Sequence, residues 1–442
     1  MIKSHVLYRL SYGLPWQFNY LKAPTFASLG RPSPGFYLLD LLERGWESRE
    51  ARIISMPILN RIADLHKELI EWRRHMHAHP ELLYDVHRTA ASVVDKLKSF
   101  GCDEVVPGIG RTGVVGVIRG RKPGKKVVGL RADMDALPLE EETGLPYQST
   151  VPGKMHACGH DGHTTMLLGA AKYLAETRNF AGTAVVIFQP AEEGGAGGLA
   201  MIKDGLMSRF GIEEIYGMHN YPGMPVGEFA ICPGPIMASV DHMTIDLEGK
   251  GGHASRPHET IDTLLVGAQI VNQLQSVVAR NVDPLEAAVI SICMFQAGHT
   301  DNVIPQHAKL RGSARALTEE VRQIVRKRLD EIVQGTAHLY GAKAKITYAT
   351  GYPVLVNHER QTDVATSAAR AVAGDGKVDT YFVPVMAAED FAFMTEERPG
   401  AFIFIGNGDT AGWHHPAYDF NDEAIPVGTS YWVRLAESAL GG

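Results

Sequence analysis

From residue 58 onward, short apolar runs rich in β-branched residues alternate with segments whose apolar positions recur every three or four residues, and this alternation limits the fold more than any other feature. Ile58, Ile62, Leu65, Leu69, Trp72 and Met76 fall on one helical face. The series continues with a helix over 88–100 closed by Gly101, strands near 112–118 and 126–133, and a helix over 161–177. A strand at 183–188, a helix near 198–206 and a strand at 214–219 follow. Strands taking turns with helices predict an α/β domain with a mainly parallel sheet, because each parallel neighbour needs a crossover. Ligands of such sheets gather at the carboxyl ends of the strands.

Between 240 and 353 the order changes to strand 243–248, helix 260–280, strands 287–295 and 307–315, helix 318–340 and strand 343–349. That βαββαβ order is the split, ferredoxin-like pattern. After Pro353 the alternation resumes with a helix over 360–373, strands near 379–385 and 401–405, and a helix over 427–440. The simplest topology is one discontinuous α/β domain, 57–239 with 354–442, into which a ferredoxin-like domain of 240–353 is inserted. The hinges then fall near 239 and 353.

Composition narrows what such a chain can do. A net charge of −7 with 43 dispersed Lys and Arg gives no footprint for a phosphate backbone, so nucleic acid is not expected as a partner. No apolar run approaches the roughly 18 residues of a bilayer span, so no membrane partner is expected. Cys102, Cys158, Cys232 and Cys293 lie far apart, and the chain shows no secretory apolar core; reduced thiols and a cytoplasmic setting follow as expectations. Residues 1–39 hold Lys3, Arg9, Lys22 and Arg31 without an acidic residue and show no helical or strand period. Residues 1–56 therefore read as an extension outside the fold, either a targeting segment or a loosely attached leader.

Four segments of the larger domain carry chemistry. Cys158-Gly159-His160-Asp161-Gly162-His163 places a thiol and an imidazole two residues apart before a helix, where Gly159 lets both reach one cation. Glu192 and Glu193 follow the apolar strand ending at Phe188. Adjacent carboxylates there repel unless a cation or proton lies between them, so one can ligate while the other moves protons. Gly217-Met218-His219-Asn220 ends another strand, and Trp413-His414-His415-Pro416 lies near the C-terminus. Each alone is equally a half-buried thiol, a solvated acidic pair or a structural histidine. Together they can converge on one crevice.

The ordered motifs Leu130-Arg131-Ala132-Asp133-Met134-Asp135-Ala136-Leu137-Pro138, Cys158 to His163, Pro190 to Gly195, Gly217-Met218-His219, Gly251-Gly252-His253-Ala254-Ser255, Asn302-Val303-Ile304-Pro305, Glu389-Asp390-Phe391 and His414-His415-Pro416 resemble the M20 metallopeptidase family. The match is to its amidohydrolase branch of hippurate, N-acyl-amino-acid and auxin-conjugate hydrolases, and it covers about 57–440. The resemblance implies two divalent ions per subunit. Cys158 corresponds to the bridging ligand, with His160, Glu193, His219 and His414 as the others; the family's His-x-Pro pattern selects His414 over His415. Glu192 corresponds to the general base and acid, and Asp135 to an aspartate that orients a ligand imidazole.

His253 corresponds to the family's oxyanion donor, often supplied by the small domain of a second subunit, so the inserted domain is expected to serve as lid and dimer contact. Asn302 corresponds to a contact for the substrate carboxylate; Arg311 and Arg315 either assist it or mark a solvated strand edge. A thiolate ligand favours zinc, while carboxylates and imidazoles equally accept manganese, cobalt or nickel. The expected reaction is hydrolysis of the amide of a hippurate-like N-acyl amino acid to a carboxylic acid and a free amino acid. Two readings compete with it: a cysteine hydrolase with Cys158 as nucleophile and His160 as base, and a binding protein without catalysis.

Overall fold

The large sheet has eight strands, ordered Glu104–Ile109, Gly113–Arg119, Ala181–Gln189, Lys122–Asp133, Glu214–Tyr221, Gly400–Gly406, Phe229–Ala230 and Val378–Asp379. Four of its seven pairings are parallel, including the central run from Ala181–Gln189 to Gly400–Gly406. The computed structural model that shows this describes residues 59–349 and 351–441; the leader read over 1–56 lies outside the described residues.

A sheet covered on both faces must be apolar on both sides of each strand. Ala184, Val186 and Phe188 face one core, and Val185 and Ile187 the other. The strand Gly400–Gly406 repeats the arrangement, with Ala401, Ile403 and Ile405 on the first side and Phe402 and Phe404 on the second. The first core is closed by the helices Asn60–His77, His160–Thr177, Glu359–Ala373 and Ala424–Ala439, through residues such as Leu69, Leu167, Val372 and Trp432. Burial of this kind stabilises by roughly 25 cal/mol per Å² of apolar surface.

The inserted sheet is wholly antiparallel and ordered Ala288–Ala297, His307–Ala316, Ser239–Glu248, Lys343–Tyr348, the ferredoxin-like arrangement expected from the sequence. Its helices Thr263–Asn281 and Glu319–Leu339 begin at extended cap residues: Asp262 accepts from the Leu264 and Leu265 amides at 2.9 and 3.2 Å, and Thr318 from that of Val321 at 3.3 Å. Both helices cover one face through Ile245, Leu247, Ile270, Leu310 and Leu329. Strand alternation leaves His242 and Arg315 on the other face. The chain enters and leaves this sheet at Val240 and Tyr352, whose backbones bond each other in both directions at 3.0 Å.

Three local readings change. The helix placed near 198–206 is two, Gly197–Lys203 and Leu206–Phe210, parted where Gly205 takes a φ of 88°. Of the strand read at 379–385 only Val378–Asp379 pairs within the large sheet; Pro384 has no N–H to give a ladder, and Val385 forms an isolated bridge to Met237. The edge strand Glu104–Ile109, absent from the sequence reading, pairs irregularly with Gly113–Arg119, its register shifting between Pro107 and Ile109. No helix among the described residues is long and apolar enough to cross a membrane.

Candidate metal centre

Gly159 brings the first two candidate ligands together. Its φ is 93°, and a Cβ there would sit 2.3 Å from Nδ2 of Asn220 and 2.5 Å from the Tyr418 hydroxyl, so the turn between Cys158 and His160 admits only glycine. His160 is the first residue of the helix His160–Thr177. Glu192 and Glu193 follow the carboxyl end of the strand Ala181–Gln189, and His219 lies near the end of Glu214–Tyr221. His414 reaches in from a loop where its own φ is 61°.

These side chains form overlapping groups. Ligand atoms of Cys158, His160 and His219 lie within 4.8 Å of one another, and so do those of Cys158, Glu193 and His414. The sulfur is common to both, so the arrangement can hold two cations with one thiolate between them. His160, Glu192 and Glu193 form a third group at the same spacing.

The hydrogen bonds orient the two buried imidazoles. Nδ1 of His160 is 2.8 Å from the backbone oxygen of Asp135, and Nδ1 of His219 is 2.7 Å from that of Asn220. A carbonyl only accepts, so both Nδ1 atoms carry a proton and both Nε2 atoms are turned to the centre, that of His219 accepting from the Cys158 thiol. Burial opposes charge on His160, but Asp133 and Asp135 prevail and raise it to about 10, so its Nε2 gives up a proton when it ligates. Nε2 of His160 and Oε1 of Glu193 are buried without a hydrogen-bond partner. Nε2 of His414 lies 3.2 Å from that same Oε1 but not in hydrogen-bond alignment. Buried polar atoms left this way are costly, and a cation would satisfy them; the residues fit a metal.

The charges agree. Burial, with the carboxylates of Glu193, Glu192 and Asp133, pushes the Cys158 thiol well above its usual range. Burial, with the neighbouring His163, pushes His219 well below its usual range. Burial and the nearby Glu389, Glu193, Asp390 and Asp135 carboxylates raise Glu192 well above the carboxylate range. The protein alone holds these acids with a protonated thiol and His160 in its charged form, and a dication would displace both protons. The imidazole beside Sγ is that of His219, at 3.4 Å, and not that of His160. A thiol pushed up beside an imidazole pushed down is not an ion pair, which counts against the nucleophilic cysteine reading.

A second layer of bonds holds the centre. The Asp135 carboxylate accepts the backbone N–H groups of Glu192 and Glu193 at 3.0 and 3.1 Å and lies 3.5 Å from Nδ1 of His160. Asp133 accepts from Nδ1 of His163 at 2.7 Å and from Arg131 at 2.7 Å. Buried Arg131 also donates to Gln189, Glu389 and Asp390, each at 2.9 Å. Sequence reasoning gave no role to Arg131, Asp133, His163 or Asp390, although for the first two the alternation of charge with apolar residues after the run 127–130 was a visible signal.

A cleft of about 600 Å³ opens over the centre, lined by Cys158, Glu192, His219 and His414 on one side and by Val240, His242, Arg315 and Tyr352 on the other. Arg315 donates to the backbone oxygen of Met386 at 2.8 Å. His253 and Asn302 do not line it: His253 pairs with Val303 in a separate two-stranded ribbon and stays exposed. His242 and Tyr352 were not singled out from the sequence.

Fold and site together define the class: a two-part α/β protein with a buried thiol, imidazoles and paired carboxylates gathered at strand ends to take metal. The chain belongs to Peptidase family M20/M25/M40, whose model matches residues 129–438. It is 42% identical over 381 residues to the hippurate hydrolase of Campylobacter jejuni, covering 86% of this chain and 99% of that protein. It is 40% identical over 377 residues to an N-acetylcysteine deacetylase of Bacillus subtilis, covering 85% and 97%. Among solved structures it resembles a dinuclear metal binding peptidase of the M20 family from Bacillus subtilis, with TM-score 0.74, 36% identity and coverage of 86% and 99%. A putative aminohydrolase from methicillin resistant Staphylococcus aureus gives TM-score 0.79 at 33% identity, covering 87% and 99%.

Proposed function

We propose that this protein hydrolyses the amide bond of N-acyl amino acids, hippurate-like substrates in particular, to a carboxylic acid and a free amino acid. The observation that carries the reading is the pair of ligand groups sharing Sγ of Cys158, with the buried carboxylate of Glu192 beside them. The activities that name the Campylobacter and Bacillus relatives support an acyl amino acid as the substrate class.

Cys158, His160, Glu193, His219 and His414 would hold two divalent ions, with zinc, manganese, cobalt or nickel all suited to the donor set. When bound, the ions supply positive charge that acidifies water and polarises the amide carbonyl. Glu192 takes the proton of the attacking water and delivers it to the leaving nitrogen; its burial among carboxylates gives it the proton affinity that both transfers need. Asp135 fixes the His160 ring and the backbone that carries Glu192. Arg315, in the cleft wall, receives the substrate carboxylate together with Asn302 of a second copy. His253 donates to the oxyanion from the small domain of a second copy, since in its own chain it lies outside the cleft. In this reading residues 240–353 form the lid and dimer contact, and the protein is a cytoplasmic homodimer.

The test is hydrolysis of hippurate and a panel of N-acetyl and N-benzoyl amino acids by metal-loaded protein, alongside Glu192→Gln. The expected result is turnover that a strong chelator abolishes, and a variant that keeps its metal while losing about 10²-fold or more in kcat. Turnover that survives chelation, or an active Glu192→Gln, overturns the reading.

A further inference from the structure

The segment that carries Glu192 and Glu193 is not regular helix. Ala191 and Ala196 hold φ of 55° and 53°, Gly194 holds 88°, and Glu193 has a non-helical ψ of 63°. A non-glycine residue in the left-handed region costs of order 1 kcal/mol and persists only where neighbours over-determine it. Three side chains do so here. Asp135 accepts the Glu192 and Glu193 amides, and the Tyr84 hydroxyl donates to the Gly195 oxygen at 2.7 Å. The third is Tyr352. Its hydroxyl donates to the Glu192 oxygen at 2.5 Å and accepts from the Gly194 and Ala196 amides at 2.9 and 3.2 Å. All three hydrogen bonds of this hydroxyl, one donated and two accepted, go to one loop.

Tyr352 also stands where the chain leaves the inserted sheet. Its backbone N–H and C=O bond those of Val240, the residue at which the chain enters, and its ring packs edge-on to Phe393 at 5.9 Å. Both crossings of the backbone are thus fastened to one residue, and that residue's other end is fastened to the loop bearing the proposed base and a proposed ligand. We infer that Tyr352 is a positioning residue that sets the Glu192–Glu193 backbone and ties it to the crossings of the inserted domain, so that displacement of those crossings displaces the base. The inference rests on the proposed role of Glu192 and assigns Tyr352 no contact with the reacting atoms.

Tyr352→Phe removes the three hydroxyl bonds and keeps the ring. Two readouts decide: backbone amide exchange over 190–197 followed by mass spectrometry on the full-length protein, and kcat and KM for N-benzoylglycine on the metal-loaded protein. Exchange in that stretch should rise at least about tenfold while the helix 160–177 keeps its protection, and kcat should fall about tenfold or more with KM within about twofold. Tyr84→Phe is the comparator, because it frees the same loop at Gly195 without touching a crossing; its loss of kcat should be smaller. Should the Phe variant not fold, p-aminophenylalanine at position 352, which keeps a donor to the Glu192 carbonyl, takes its place and should give an intermediate kcat. Unchanged exchange at 190–197, unchanged kcat, or equal losses in the two tyrosine variants each overturn the inference. Wild-type protein without hydrolytic activity would remove the functional reading instead, and the exchange measurement would still decide whether Tyr352 holds the loop.

Discussion

Sγ of Cys158 lies 3.4 Å from Nε2 of His219, and both groups are held in their neutral forms by burial. Two neutral soft donors at that spacing, with a proton to lose from one of them, are arranged to exchange the proton for a metal ion.

Removing the shared sulfur should therefore affect both groups of ligands at once. Cys158→Ala is expected to lower bound metal from two ions towards none and to reduce kcat/KM by at least about 10²-fold, because ligand loss typically costs more than the 10- to 100-fold seen for outer partners. Elemental analysis of dialysed protein checks it; a full complement of two ions in the variant contradicts the bridging role.

Gly159→Ala tests the turn rather than the ligands. With φ at 93° and a Cβ contact of 2.3 Å to Asn220, the variant should lose more than about 2 kcal/mol of unfolding free energy. Denaturant titration of metal-free protein measures this without reference to activity. A loss below about 0.5 kcal/mol would mean that the turn is not constrained as described.

Arg315 tests the cleft wall. Arg315→Ala should raise KM for N-acyl amino acids by about 10- to 100-fold, as for loss of a charge-assisted bond, with a much smaller effect on the corresponding amino acid amides. Equal effects on charged and neutral substrates would assign Arg315 to holding the Met386 loop alone.

Stability should depend on pH through His77. Burial opposes its charge, but hydrogen bonds to Asp161 at 2.9 Å and Glu141 at 3.3 Å prevail and raise its pKa from 6.5 to about 9. A folded-state pKa above the unfolded one gives stability that is full below pH 6.5 and lost as pH rises through about 9. The whole effect is up to about 3 kcal/mol. Urea unfolding at pH 6 and pH 9.5 should show this loss in the wild type and a much smaller one in His77→Gln; parallel slopes would refute it.

Much of this was legible in the sequence because the chemistry is local. Cys158 with His160, and Glu192 with Glu193, announce themselves by spacing, and the period of each strand and helix survives in its apolar residues. Arg131 was also visible as a charge in an apolar strand, but its partners Glu389 and Asp390 lie more than 250 residues away and no local pattern points to them. Tyr352 was hidden for a different reason. It acts on backbone groups, which every residue has, so nothing in the sequence of the loop 191–196 marks its partner. His253 and Asn302 carry recognisable motifs, yet they lie outside the cleft of their own chain, and the roles proposed for them need a second copy.

The reciprocal bonds between Val240 and Tyr352 have a consequence for how such a chain can be remodelled. Since the two ends of the insertion are neighbours, the intervening stretch is a cassette: its loss or replacement would leave stumps a short turn could seal, with every proposed ligand still on its original strand or loop. New specificities can then be tried on one cassette while the inherited chemistry stays on the other side of the seam.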